Sequence, residues 1–457
     1  MENREDHVSP RPKNDLSASP EVGRSQDLPD TFRNKLFQRP VFLRRGALFI
    51  GLTVLVIAII FSSSIIFLKV FMRIGPLKQW SFQTKSGIIA FSPVVSNGLV
   101  YVVSQGGSGR PILYALDALS GGEKWYFQIE GSFVPFSPAV ANGLVYVVSD
   151  SLISGEDIVY ALDASSGRQR WSFHTEDVLS ASSPPTVTGK LVYILSASGI
   201  LYALDTLTGT KLWVEHVGNN DRFSPIVVSG LVYVVSNNLA TEDSTVYALN
   251  AISGQRKWLY QAKTFATAPL VAASGSVYLG TKYGTLYALD AASGEKEWSY
   301  SVGSSIDSSP TISNGVVYVG SDSGYFYALD AKSGHQKWFV YFRESIKISP
   351  IVINHIAYVI IPNDTLYALD LLSGHKRWSS RGSFFGFQAK PTMASSIVYI
   401  GIEGGTLYAV DGVSGNEEWS YQTNAKLSFS PTVANNIVFV GGLNALDAIQ
   451  PPVSTPS

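Results

Sequence analysis

An all-β ring of four-stranded blades, preceded by one membrane-spanning helix, is the fold class that the sequence predicts. Three observations predict the ring. The phrase YALDAKSGHQKW at 327–338 returns with small changes at 287–298, at 367–378 and elsewhere. Its Asp and Trp stand eight residues apart in every complete copy: Asp117 and Trp125, Asp163 and Trp171, Asp205 and Trp213, Asn250 and Trp258, Asp290 and Trp298, Asp330 and Trp338, Asp370 and Trp378, Asp411 and Trp419. Prolines 93, 138, 185, 225, 269, 310, 350, 391 and 431 recur at intervals of 40 to 47 residues, the period of a propeller blade.

Residues 309–341 show how one unit reads. SPTIS, VVYVGS, YFYALDA and KWFVY are four short apolar stretches, and Asn314-Gly315 supplies the tight hairpin turn between the first two. One blade cannot bury both of its faces, so the phrase repeats until blades stack radially and the ring closes. All nine tryptophans, the eight above and Trp80, belong to the pattern. Each carries a large apolar ring and an N–H that needs an acceptor, which suits a peg docked between blades better than nine ligand sites. The Asp ahead of each SG or TG accepts turn N–H groups, Asn250 replaces it in one copy, and the Gly supplies a positive φ.

Eight complete four-stranded blades follow this plan, and the two chain ends are expected to make a composite closing blade. Trp80, in QWSFQT, begins a fourth strand with no blade before it, while residues 430–448 (SPTVANNIVFVGGLNALDA) give three strands with no fourth after them. Sharing one blade leaves no unpaired edge. Asp447 is read here as the motif Asp of a shortened copy, eight residues after Phe439 where Asp411 stands twelve after Tyr399.

Ahead of the repeats the chain divides into a tail at 1–45, a membrane helix at 46–72 and a short linker at 73–79; the propeller takes 80–449 and a second tail 450–457. Residues 46–68, GALFIGLTVLVIAIIFSSSIIFL, are 23 positions without a charge, and at 1.5 Å per residue such a helix crosses a hydrocarbon core of about 30 Å. Serines 62–64 would suit a signal peptidase, but the apolar run continues past them, which favours an uncleaved anchor. Five basic residues (Arg33, Lys35, Arg39, Arg44, Arg45) precede the segment and four (Lys69, Arg73, Lys78, Lys85) follow it. This small bias places the N-terminus in the cytoplasm and the propeller outside the cell membrane. The tail is rich in Pro, Ser and charge and reads as disordered.

Composition narrows the functions. A formal net charge of −1 offers no footprint for nucleic acid, and the absence of cysteine removes disulfides, thiolate metal sites, cysteine nucleophiles and a lipid-bearing cysteine. Histidines 7, 174, 216, 335, 355 and 375 form no metal-ligand spacing, and the chain contains no GxSxG, HExxH or phosphate-cradling loop.

The YALDAxSGxxxW motif, with SPTVxNGxVYVG upstream, resembles the pyrroloquinoline-quinone (PQQ) repeat family over about residues 78–449. Quinoprotein alcohol dehydrogenases and the propeller lipoprotein of the outer-membrane β-barrel assembly machinery share that repeat. The resemblance implies a propeller, usually of eight blades, and diverse chemistry. The adjacent cysteine pair that covers the quinone in the dehydrogenases has no counterpart here, nor has a Glu, Asn and Asp set for their calcium. The expectation is therefore no catalytic residue, no metal and no PQQ.

Comparing the copies locates a candidate interface. What every blade carries serves what every blade shares, so the docking Trp, Asp and Gly are structural, and Phe91, Phe136, Phe223 and Phe429, each two residues before a strand proline, belong to the core. The turns between first and second strands and between third and fourth are short and alike. The turns between second and third strands, and the links between blades, share the opposite face and vary, as in SQGGSGRPIL, VGNNDRF, YFRESIKI and RGSFFGFQAK. A partner-binding site is expected there, with Asp221, Arg222, Arg343, Glu344, Lys347, Phe384, Phe385, Phe387 and Lys390 as candidates. The function expected is a non-catalytic scaffold that binds a partner protein, in envelope protein assembly; a tethered PQQ dehydrogenase and an extracytoplasmic ligand or carbohydrate sensor are the rivals.

Overall fold

The computed structural model describes residues 75–452, apart from 86, 107–108, 151–156, 176–182, 219–222, 362–364, 382–389, 403, 424–426, 428 and 443. Two units divide the chain, Met1–Met72 and Arg73–Ser457, and every described residue belongs to the second. The expected tail and membrane helix lie outside the described residues. Among the described residues no helix is long and apolar enough to cross a membrane.

The described elements are all strands, arranged as nine antiparallel sheets. Blade 6 is representative: Thr311–Ser313, Val316–Gly320, Tyr325–Asp330 and Gln336–Tyr341 follow one another in space as in sequence. Its turn residue Asn314 takes the left-handed φ of 50° that a two-residue hairpin needs. Nine blades close the ring, one more than the resemblance implies. The expectation of four strands per complete blade needs correction in blade 1, which has five. There Ile88–Ile89 pairs with Leu99–Gln105, because the link ahead of the blade lies flat enough to extend the ladder at Gln105 and Ser104.

Both chain ends build blade 9. Leu77–Gln83 pairs antiparallel with Ala445–Gln450, placing Trp80 opposite Ala448, Ser81 opposite Asp447, Phe82 opposite Leu446 and Gln83 opposite Ala445. The innermost strands touch around the ring, Thr432–Ala434 of blade 9 meeting Val94–Ser96 of blade 1. Thr432 Oγ1 donates to the Pro93 carbonyl at 2.7 Å, repeating the bonds from Thr186 to Pro225 (3.0 Å) and from Thr311 to Pro350 (2.8 Å).

Blade 9 also corrects the role read for Asp447. Every other blade sets an alanine opposite its tryptophan, as Ala328 opposite Trp338, and Ala448 is that alanine in blade 9. Only a small side chain fits under the indole. Asp447 therefore stands where blade 6 has Tyr327 and blade 8 has Tyr408, and Gln450 takes the place of the motif Asp. The letters ALDA recur, three positions out of register.

Neighbouring blades are clamped through one carbonyl. In blade 2 the Ala164 carbonyl, just past the motif Asp, accepts from Trp125 Nε1 at 3.1 Å and from Tyr101 Oη at 3.0 Å, both in blade 1. The same pair converges on Ala251 from Trp213 (3.1 Å) and Tyr193 (3.0 Å), and on Gly412 from Trp378 (3.0 Å) and Tyr358 (2.8 Å). From Trp80 to Trp378 each indole lies on the next blade's motif glycine: a Cβ on Gly334, whose φ is +70°, would sit 2.6 Å from the Trp298 ring. That glycine thus serves a left-handed turn and the face of a neighbour's tryptophan. Between blades 9 and 1, Trp80 Nε1 donates to Ala118 at 3.1 Å, but Phe439 replaces the tyrosine and brings no hydroxyl.

Burial pushes the hydroxyls of Tyr101, Tyr146, Tyr193, Tyr318 and Tyr358 up to about 12. The folded state holds these protons more tightly than the unfolded chain, whose phenols ionise near 10. Their contribution is complete below the unfolded value and is lost as pH rises through the folded one. The melting temperature should accordingly fall steeply between about pH 10 and 12, and the ring signals of these five tyrosines, followed by NMR, should show ionisation only together with unfolding. Ionisation of one of these five hydroxyls near pH 10 in a still-folded propeller would contradict the clamp.

Candidate functional site

The motif carboxylates are turn builders. Asp117 accepts from the backbone N–H groups of Leu119 (3.1 Å) and Ser120 (2.9 Å) and from the Ser120 hydroxyl (2.9 Å). These bonds, that of the Ser120 N–H first, hold it down to about 2. Asn250 makes the same three bonds with Ile252 and Ser253, which explains why an amide serves in that copy. Phe91, Phe136 and Phe223 pack against the inter-blade cores, and Phe91 and Phe429 meet at 6.2 Å between ring centres.

Of the candidate interface residues, Arg343, Glu344 and Lys347 come together on the link that follows blade 6. The link is fixed from beneath. Ile346 is fully buried and fills the space above Gly320, and its N–H donates to the Ser321 carbonyl at 3.1 Å. Arg343 takes a left-handed φ of 64°, a conformation that a bulky residue keeps only where its surroundings impose it. Its neighbour Phe342 anchors the turn by donating to Gly324 at 2.8 Å. Arg343, Glu344 and Lys347 are exposed; Lys347 lies 3.7 Å from Asp322, whose carboxylate also accepts from the Ser345 hydroxyl. A pair this open contributes little stability, so its charges remain usable by a partner. Lys390 is exposed on the next link, between blades 7 and 8. Asp221, Arg222, Phe384, Phe385 and Phe387 lie outside the described residues.

A second feature of this face escaped the reading of the sequence. Between blades 8 and 9 a partly enclosed cavity of about 60 Å³ is lined by Ser81, Gln83, Thr423, Leu427, Asn444 and Asp447, among others. It exists because Asp447 replaces the repeat's tyrosine: Tyr421, which would meet that ring as Tyr300 meets Tyr327 at 5.5 Å, faces a carboxylate instead. Burial, and then the Asp447 charge, raise the Tyr421 hydroxyl. The signal was present as the one blade lacking the third-strand tyrosine, hidden by the coincidence of the letters ALDA.

Among the described residues no group of three or more His, Cys, Asp or Glu side chains converges to hold a metal.

Fold and repeat define the class: a PQQ-type β-propeller. The chain belongs to the family described as outer membrane protein assembly factor BamB, whose model matches residues 77–242, 242–380 and 362–449. No curated protein sequence matches it. Among solved structures it is similar to BamB from Moraxella catarrhalis (17% identity, TM-score 0.52, covering 82% of this chain and 99% of that one). It is also similar to the computationally designed protein Ika8 (15%, TM-score 0.54, 71% and 98%) and to a europium-containing methanol dehydrogenase (14%, TM-score 0.51, 82% and 93%). At these identities the likeness is one of fold, shared by an assembly factor, a design and a dehydrogenase.

Proposed function

We propose that the chain is a non-catalytic scaffold, anchored in the cell membrane by residues 46–68 with its propeller outside, that holds a partner protein on the face of variable turns and links. The observation that carries the reading is the family match across 77–449, to a family described as an assembly factor. Acting in assembly requires gripping another protein, and the rigidly mounted, charged link of Arg343, Glu344 and Lys347 supplies a grip. The opposite face differs in kind: its turn tips carry Leu119, Leu207, Ile252, Leu372 and Val413, all strongly exposed aliphatics. The dehydrogenase rival rests on fold likeness alone.

Crosslinking in the native membrane tests the grip. Arg343→Glu combined with Lys347→Glu should lower the amount of captured partner about tenfold, while Leu119→Ser on the other face leaves it unchanged, as expected for charges at an interface rim. Equal loss from both variants, or from neither, defeats the assignment of faces. Orientation is read in the same cells with single cysteines at Ser19 and at the exposed turn residue Ser373. An impermeant thiol reagent should label only position 373. A rise of several degrees in melting temperature with PQQ and calcium, the mass-action signature of tight binding, would overturn the cofactor-free reading.

A further inference from the structure

The cavity between blades 8 and 9 has the chemistry of a receptor, and we infer that it binds a primary ammonium group. Asp447 is 7% exposed. Among the described residues its carboxylate has neither a hydrogen-bond nor an ion-pair partner, and the Tyr421 hydroxyl, which feels its charge, is another oxygen. A carboxylate with so little exposure is normally paired, because partial desolvation without compensation is unfavourable. This one is aimed into a cavity that opens on the variable face, beside the blade-9 turn at Gly442 and Asn444 and the link at Thr423 and Leu427.

Charge and donor count select the ligand. One carboxylate balances one positive charge. The remaining polar lining is neutral: the Ser81 hydroxyl directly across the ladder from Asp447, the Gln83 and Asn444 amides, and Thr423, whose own hydroxyl is engaged by the Gly405 carbonyl at 2.6 Å. An ammonium is a compact charge with three donors and no acceptor, matching one carboxylate oxygen, one hydroxyl and one amide carbonyl. Divalent cations are disfavoured by the same count, since calcium takes six to eight oxygens and usually several carboxylates. Size agrees: at roughly 10–15 Å³ for each water, about 60 Å³ accepts an ammonium and the last carbons of its stem. Leu427 and Val440, both buried, offer those carbons an apolar wall.

Such a group can come from a lysine side chain of a polypeptide or from a free amine, and the probes separate the two. The full-length protein in detergent micelles is titrated at constant ionic strength with Nα-acetyl-lysine amide and with n-butylammonium, read by saturation-transfer NMR. The uncharged isostere Nα-acetyl-norleucine amide serves as control. Both ammonium probes should bind and compete with each other, and the norleucine compound should not bind. Tighter binding of the lysine compound assigns a polypeptide source, and tighter binding of butylammonium a free amine. Asp447→Asn should weaken both probes at least tenfold. Asp447→Tyr restores the repeat, fills the cavity and should abolish binding without lowering the melting temperature, so that misfolding of one variant cannot mask the result. Lys426, in the same blade link, lies outside the described residues; Lys426→Met should leave the affinities unchanged, and tighter binding in that variant would mean that the chain fills the cavity itself. Undiminished binding in Asp447→Asn, equal binding of the norleucine compound, or displacement by calcium well beyond that by sodium each overturns the inference. These probes need no partner, so failure of partner capture leaves this result standing, and the converse holds as well.

Discussion

Replacing Gly334 by alanine should destabilise the propeller by about 3 kcal/mol, combining left-handed backbone strain with overpacking. The added methyl must take a φ of +70° and sit 2.6 Å from the Trp298 ring, which is itself held by its bond to the Ala331 carbonyl at 3.0 Å. The indole cannot swing away without losing that bond and the apolar contacts of the neighbouring blade. Gly143→Ala isolates the first cost: its φ is +74°, but nothing lies within 4 Å of the new Cβ. It should cost about 1 kcal/mol. Denaturant melts of the two variants, compared at equal m-values, measure the difference. Equal losses would show that the glycine serves only the turn.

A disulfide between Gln83→Cys and Ala445→Cys should form spontaneously in this cysteine-free chain and stabilise it by up to about 5 kcal/mol through loop entropy. The two positions are directly opposed in blade 9, and neither side chain is in the fully buried core. The gain is the difference in denaturation midpoint with and without reductant. Gln83→Cys paired with Ser373→Cys, in another blade, should stay reduced. Failure of the first pair to oxidise in a folded protein would mean that the chain ends do not share a ladder.

What could be read from the sequence was whatever repeats. Asp330, Gly334 and Trp338 stand in register with their counterparts in every complete copy, and the turn, the clamp and the closure by Trp80 all follow from that regularity. Part of Gly334's role stayed hidden, since the indole on its face belongs to the preceding blade, which spacing within one copy cannot show. Asp447 was misplaced for a different reason. Its letters match the motif, and only the ladder, which demands a small residue opposite Trp80, reveals that Ala448 fills the alanine position and moves Asp447 to that of the tyrosine. The link bearing Arg343, Glu344 and Lys347 was recognised by its variability, but its mounting on the buried Ile346 depends on packing against Gly320, 26 residues earlier in the chain.

Blade 9 also sets a timetable for biosynthesis. Thr84 and Asn444, which are bonded across the seam, are 360 residues apart, so at about 5–20 residues per second the ribosome needs roughly 20–70 s between making the first strand and supplying its mate. During that interval the nascent strand Leu77–Gln83 has no sheet to join. It does have a berth, because the acceptor of its Trp80, the Ala118 carbonyl, is only 38 residues away and emerges with blade 1. The first-made strand can thus wait docked by its indole on the flank of blade 1, its ladder edge open, until the last-made strand slides in beside it. A circular permutant carrying that strand after residue 450 would have no such wait, since the two strands would then leave the ribosome one after the other.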